Sequence, residues 1–579
     1  MLPNTYHADP RLAPVIALAG AGKPDLPNTI TLRKLLPYCR GCLLSQFRFV
    51  AMPSTRYMLL KTVLAAVEAI PPIRDFANSW AINRVVKRAR SRPHPLSTLH
   101  DYTSWDGLTD KRWSGRHLPP RPRPNPPDPA TLSVLFARKD GTQRLCPKST
   151  CLFPAFAQYL TDGFIRTESA GFVRDACDDV ATGDPDDQTR LKRNSSNHEI
   201  DLCPLYGRTR AQTRALRLNS EEMGEKGRLK SQRINDEEYA PYYYKNGAVD
   251  PQFAVLDPPL GQSNLDPDRL SRLFAFGGDR ANSVPQVAMM NTVFLREHNR
   301  LAGLIEAAHP DWDDERVFQT ARNTVIVVFI KIVVEDYINH ISPLPFTLRA
   351  DPSVAWDAPW NKPNWITTEF SLLYRWHALI PDQITWNETA IPVGKTFMDN
   401  KLLTDQGLLA SFAQMSTQQA AELGPRNTAS PLLHIEIDSI KQDRLCALAS
   451  YSDYCDYLGI NRPYSMDAIS SDPEVAALLR GFYDHPRDVD FHVGLFCEDR
   501  VPNSPLPGLI LSFVALDAFS QALTNPLLSR EVFKPTTFSH VGWDAIRSTS
   551  RLRDVVDRNV AGGAGETFIS FTRANWQPE

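Results

Sequence analysis

Apolar residues recur at helical spacing from Pro285 to Ala308 and again from Trp312 to His340, with His309-Pro310 between the two stretches. This pattern predicts two consecutive helices. Inside the second, Thr324 to Val334 (TVIVVFIKIVV) is nearly continuous in apolar residues. It is shorter than the roughly 20 residues that span a bilayer and is interrupted by Lys331, so it reads as a buried core helix. Thr368 to Asp382 (TEFSLLYRWHALIPD) predicts a further helix, stopped by Pro381. Residues 53–92 read as short amphipathic helices broken at Pro71-Pro72 and ending in Arg84, Lys87, Arg88, Arg90 and Arg92. Such segments either lie in a bilayer interface or present a solvated basic face, and periodicity does not separate the two. Residues 169–198 and 217–240 are polar, as long surface loops are, and alternating strand patterns are few and short. Leu118 to Pro129 holds seven prolines and can be neither helix nor central strand. It divides an N-terminal lobe, 1–117, from a helical body, 118–579. The expected class is mainly α with little β structure.

Composition narrows this further. The chain has 579 residues, 42% hydrophobic and 22% charged, which excludes a disordered polymer and by length alone suggests three or four domains, at roughly 150 residues each. With 64 Lys+Arg against 66 Asp+Glu, the net charge of -2 argues against a nucleic-acid partner. Nine scattered cysteines do not form a disulfide framework, and the lone Cys39-x-x-Cys42 has no second pair at zinc spacing. The first 25 residues lack a basic start followed by an apolar run, so the expected compartment is the cytoplasm. Neither a G-x-G-x-x-G nor a P-loop pattern occurs. Proline, at 47 residues, exceeds the usual share of roughly 5% and points to many ordered irregular connections.

Two segments carry candidate chemistry. In Phe276 to Leu304, a Gly-Gly-Asp turn precedes Arg280, and Pro285 opens a helix that contains Leu295-Arg296-Glu297-His298-Asn299-Arg300. In Thr368 to Asp382, Tyr374 and His377 are three apart and would share a helix face. A histidine that ligates haem iron, with a tyrosine one turn earlier, lets an oxidised haem draw an electron from the phenol. On spacing alone, a packed aromatic and a core histidine are the commoner outcome.

Taken together and in order, these segments resemble the animal haem peroxidase superfamily and, within it, the cyclooxygenase and fatty-acid dioxygenase branch. The resemblance starts at His100-Asp101-Tyr102-Thr103-Ser104-Trp105 and Leu118-Pro119-Pro120. It continues through Phe156-Ala157-Gln158, Asp201-Leu202, Leu205-Tyr206-Gly207 and the LREHNR helix with Phe318-Gln319-Thr320. It then reaches Tyr374-Arg375-Trp376-His377 and, more weakly, Pro463-Tyr464-Ser465, Phe519-Ser520 and Phe533-Lys534-Pro535. It implies one large helical peroxidase domain binding one haem b, with His377 as proximal iron ligand and Tyr374 as the residue whose radical takes hydrogen from the acyl chain. Arg280 falls on the distal arginine, with a plain salt bridge to Asp279 as the bland alternative. Gln158 falls on a distal glutamine, and Ser520 near a channel serine, with a surface serine as its alternative. His298 is structural in the family, and Glu297 and Arg300 look like packing and ion-pair residues.

The departures from the pattern are as informative. Asp162 stands where the family places its distal histidine, and an aspartate donates a proton poorly at neutral pH unless burial raises its pKa, so efficient peroxidase turnover is not expected. Gly163 offers no carboxylate at the family's calcium position, and Asp201-Leu202-Cys203-Pro204 lacks the rest of the calcium set, so no calcium is expected. Leu344 replaces the tyrosine that helps cyclooxygenases hold the substrate carboxylate, leaving a basic residue such as Arg90 as its candidate partner. Arg375 replaces a cyclooxygenase histidine, and Y-R-[WM]-H resembles the α-dioxygenases and fungal linoleate dioxygenases. The expected function is therefore a haem-dependent dioxygenase that turns an unsaturated fatty acid and O2 into a hydroperoxide, in the cytoplasm with peripheral membrane contact. The alternatives are a peroxidase oxidising small donors with H2O2, or a haem-binding protein without turnover.

Overall fold

The computed structural model describes residues 54–86, 113–167, 192–196 and 198–579. Arg90, the basic cluster after Arg84 and the His100–Trp105 motif lie outside these residues. Among the described residues the fold is mainly α, as the periodicity predicts. Strands occur there as four two-stranded antiparallel pairs, one of them, Gln232–Ile234 with Glu237–Tyr239, inside the stretch read from its polarity as a loop.

The centre of the molecule is the helix Pro285–Ala308, opened by proline at its first turn and buried almost all round. It packs against Asp314–Ile332, Leu152–Phe164, Pro535–Ser548 and Leu552–Asn559. Asp314–Ile332 starts where the Asp313 side chain accepts from the Arg316 backbone N–H. It runs into a π turn, Val333–Ile338, and a last turn, Asn339–Ile341. By length and composition, Asp314–Ile341 could cross a membrane, but most of it is buried inside the protein, as a core helix is.

The LREHNR motif is a set of staples. Glu297, fully buried, accepts from Arg300, Arg558 and Asn559, and Arg296 donates to the Glu238 carbonyl and to Glu237. His298 Nε2 lies 2.8 Å from the Gly227 carbonyl, which can only accept. The ring proton therefore sits on Nε2, and Nδ1 accepts from the Tyr206 hydroxyl at 3.0 Å. Burial pushes the His298 pKa down to about 3, so it stays neutral and structural. Its carbonyl partner needs glycine: φ is +70° at Gly227, and a Cβ there would fall 2.7 Å from the Phe318 backbone nitrogen.

The irregular connection expected from the proline run is present: Leu118 to Pro129 forms neither helix nor strand. It is fastened by Arg121 to Asp453, by Arg123 to Asp490 and by the Arg121 N–H to the Ala447 carbonyl. The amphipathic stretch forms Ser54–Glu68 and Pro71–Val86, with the break just before Pro71. Asn78, Ile82 and Val86, spaced by one turn, face inward, and Asn78 exchanges two hydrogen bonds with the Arg349 backbone. Ile73, Phe76 and Trp80 on the second helix are exposed, as are Met58, Leu59 and Val63 on the first.

Candidate active site

One correction concerns the segment from Thr368. The helix there ends at Leu373, and His377–Leu379 forms a separate 3-10 turn, rather than one helix running toward Pro381. Tightened bonds, from Arg375 N–H to the Leu372 carbonyl and from Trp376 N–H to the Tyr374 carbonyl, unwind the chain between Tyr374 and His377. A shared helix face therefore does not place these two side chains. The turn does, and Trp376 fills it by stacking on Tyr374 at 4.6 Å.

The distal side is built on Leu152–Phe164, which carries Gln158 and Asp162 four apart. The Gln158 amide donates to the Ser283 hydroxyl at 2.7 Å. The Gly-Gly-Asp turn docks backbone against backbone: Gly277 N–H donates to the Pro204 carbonyl, and a Cβ at Gly277 would lie 2.2 Å from the Gly207 nitrogen. Asp279, next in line, is clamped by Arg166 just past the end of the distal helix. Asp279 is thus engaged by Arg166, and Arg280 is turned toward Asp162, with its Nη1 3.9 Å from Oδ1. The pairing of Arg280 with Asp279 foreseen as the bland alternative does not form. Burial pushes the Asp162 carboxyl up to about 6, against the pull of Arg280 and the hydrogen bond from Gln158.

On the opposite side, His377 presents Nδ1 to Glu436 Oε1 at 3.4 Å. Burial lowers the pKa of Arg375 to about 10, and Arg280, Glu436 and Asp162 are near enough to act on its charge. Asp162, Tyr374, Arg375, His377 and Arg280 each keep part of their surface accessible, so none is sealed into the core. Asp162 Oδ2, Arg375 Nε and Trp376 Nε1 are buried without a hydrogen-bond partner. Such atoms are costly when left bare and crowd where a bound group belongs. With a single imidazole, an acid and a guanidinium as its polar groups, and no cluster of three or more metal-ligating side chains among the described residues, the donor set fits a macrocycle-borne iron.

Tyr374 has its ring against Phe370 and Trp376. Burial pushes its phenol well above the ordinary value, offset in part by Tyr337. Tyr337, which sequence reasoning missed, lies in the π turn and is itself buried. Ser520 is also buried, so it is no surface serine; its hydroxyl donates to the Asp517 carbonyl at 3.0 Å. Its helix, Gly508–Leu523, packs against both Thr368–Leu373 and Pro71–Val86. The charge of Asp517, held 3.0 Å from His117 Nε2, reaches Tyr374. Glu436, His492 and Asp517 are further residues that no motif signalled; each joins the site from a distant helix.

Comparison with known proteins gives the family and the fold. The family described as animal haem peroxidase matches residues 142–567. Prostaglandin G/H synthase 1 of Rattus norvegicus is 29% identical over 511 residues, covering 84% of this chain and 79% of that protein. Among solved structures, the fatty acid alpha-dioxygenase of Oryza sativa superposes with a TM-score of 0.63 at 17% identity, over 93% of this chain and 99% of that one. Peroxidase A of Dictyostelium discoideum gives 0.59 at 19% identity, over 83% and 95%. At these identities the two structures establish a shared fold.

Proposed function

The chain belongs to the animal haem peroxidase family, and from that premise we propose that it is a haem-dependent fatty-acid dioxygenase that converts an unsaturated fatty acid and O2 into a hydroperoxide. Bound haem b would supply the one-electron oxidation of the phenol. The residue that would hold it is His377, whose Nδ1 faces Glu436 and leaves Nε2 for the iron. Tyr374 then takes a hydrogen atom from the acyl chain, O2 adds to the carbon radical, and the phenol returns a hydrogen atom to the peroxyl product. Tyr374 is the observation that carries the reading. Its buried phenol stays protonated at neutral pH, so it exchanges a hydrogen atom rather than acting as a phenolate, and aromatic rings enclose it. Ser520 and Arg90 are the proposed contacts for the substrate.

The exposed apolar residues of the helices Ser54–Glu68 and Pro71–Val86 support peripheral membrane contact. Phe76 and Leu59, 72% and 67% exposed, stand on helices that pack inward through other residues. Buried free thiols at Cys146, Cys151, Cys203, Cys446, Cys455 and Cys497 suit a cytoplasmic setting. We expect no calcium, because at the family's position the Gly163 carbonyl already accepts from Ser196 and Cys203.

The second reading, oxidation of small donors with H2O2, is favoured by one feature: burial brings Asp162 into a range where it can take and give a proton, beside Arg280. Mass spectrometry of products from linoleate under isotopically labelled O2 separates the two. A hydroperoxide with both oxygens from O2 is the expected result. Peroxide-dependent donor oxidation without oxygenated lipid would leave the peroxidase reading.

A further inference from the structure

Glu436 is a carboxylate enclosed by donors. Its side chain is 1% exposed, in the helix Leu433–Leu445. Oε1 lies 3.4 Å from His377 Nδ1 and accepts from the Thr428 hydroxyl at 3.2 Å. Oε2 lies 3.1 Å from Nε2 of His492. His492 is wholly buried and held from two sides: its backbone N–H donates to Asp443 at 2.9 Å, and its ring stacks on Phe136 at 5.7 Å. The carboxylate is therefore fixed between two imidazoles, of which His377 is the partly accessible one. His377 Nδ1 is buried with no partner of good hydrogen-bond geometry, and the Glu436 carboxylate is the acceptor beside it.

We propose that Glu436 is a positioning residue for the proximal imidazole: by accepting from His377 Nδ1 it fixes the tautomer that leaves Nε2 to the iron and raises the electron density of that nitrogen, while His492 moderates the carboxylate from behind. This rests on the reading of His377 as the haem ligand. A metal-bound histidine whose second nitrogen donates to a carboxylate is a stronger electron donor than one facing a neutral group. A stronger donor favours the ferric over the ferrous state and stiffens the iron–imidazole bond. His492, by giving Glu436 a second donor, draws negative charge away from His377. The two residues therefore act on the same bond with opposite sign, which mere packing does not do.

The test uses the haem-loaded protein, its reduction potential and the iron–imidazole stretching frequency of the ferrous form by resonance Raman. Glu436→Gln keeps the shape and removes the charge; the potential is expected to rise and the stretch to fall. His492→Phe removes the competing donor while Glu436 keeps its charge; the potential is expected to fall and the stretch to rise. If Glu436→Gln does not fold, the His492→Phe shift alone decides. Haem-loaded variants whose potential and stretch match the wild type overturn the proposal. His377→Ala is the separate control: a normal haem Soret band in that variant overturns the ligand assignment itself, whatever the other two show.

Discussion

At the scale of single residues, Asp162 is the position in the proposed site whose titration is most open to test. Burial lifts its carboxyl to about 6, so it is mostly protonated below that pH and mostly ionised above it. To accept the proton of hydrogen peroxide it must be ionised. Peroxide-dependent oxidation of a phenolic donor should therefore rise through about pH 6, and Asp162→Asn should remove that inflection in steady-state rates measured from pH 5 to 8. Asp162→His should raise the same rate by about 10²-fold or more, since a positioned imidazole is the better acid and base at neutral pH. His298 makes the opposite case, a conspicuous histidine with no chemistry. His298→Phe strands the Gly227 carbonyl and the Tyr206 hydroxyl and should cost roughly 2–5 kcal/mol in denaturant unfolding, with the Soret band of the folded fraction unchanged.

At the scale of elements, the Gly-Gly-Asp turn and the segment from Thr368 do the positioning. The turn delivers Arg280 because Gly277 lets two backbones touch and Arg166 occupies Asp279. Gly277→Ala should lower stability by about 1–3 kcal/mol and displace Arg280. Gly481→Ala, in the helix Pro473–Phe482 with open space around it, should be neutral or stabilise by about 0.5–1 kcal/mol. Thermal unfolding of the pair checks both signs. The long helices are legible in the sequence because their apolar residues repeat over many turns and Pro285 and Pro310 mark their limits. The break after Leu373 is not legible: Leu, Tyr, Trp and His all suit a helix, and the tightened turn is set by tertiary packing of Trp376 on Tyr374 and Phe153. Glu436 is invisible for a related reason, since its partner is 59 positions away and its own helix shows only one acidic residue in the first turn. Tyr337 is hidden in a π turn that periodicity reads as plain helix.

At the scale of the molecule, the described residues fall in one compact unit, where length alone suggests three or four domains. The excess proline serves this architecture by opening helices at their first turn, as at Pro285 and Pro535, and by stiffening the connection at 118–129. The helix Gly508–Leu523 packs against both Pro71–Val86 and Thr368–Leu373, so it joins the helix that carries the exposed Phe76 to the segment that leads to Tyr374. Phe76→Glu should weaken binding to phosphatidylcholine and phosphatidylserine vesicles about tenfold or more in a sedimentation assay, because one aromatic anchor contributes about 1.5–3 kcal/mol. Oxygen uptake with linoleate by the haem-loaded wild type and Tyr374→Phe tests the tyrosyl radical most directly. Uptake should fall to background in the variant while its Soret band stays intact; undiminished uptake would contradict the radical role of Tyr374.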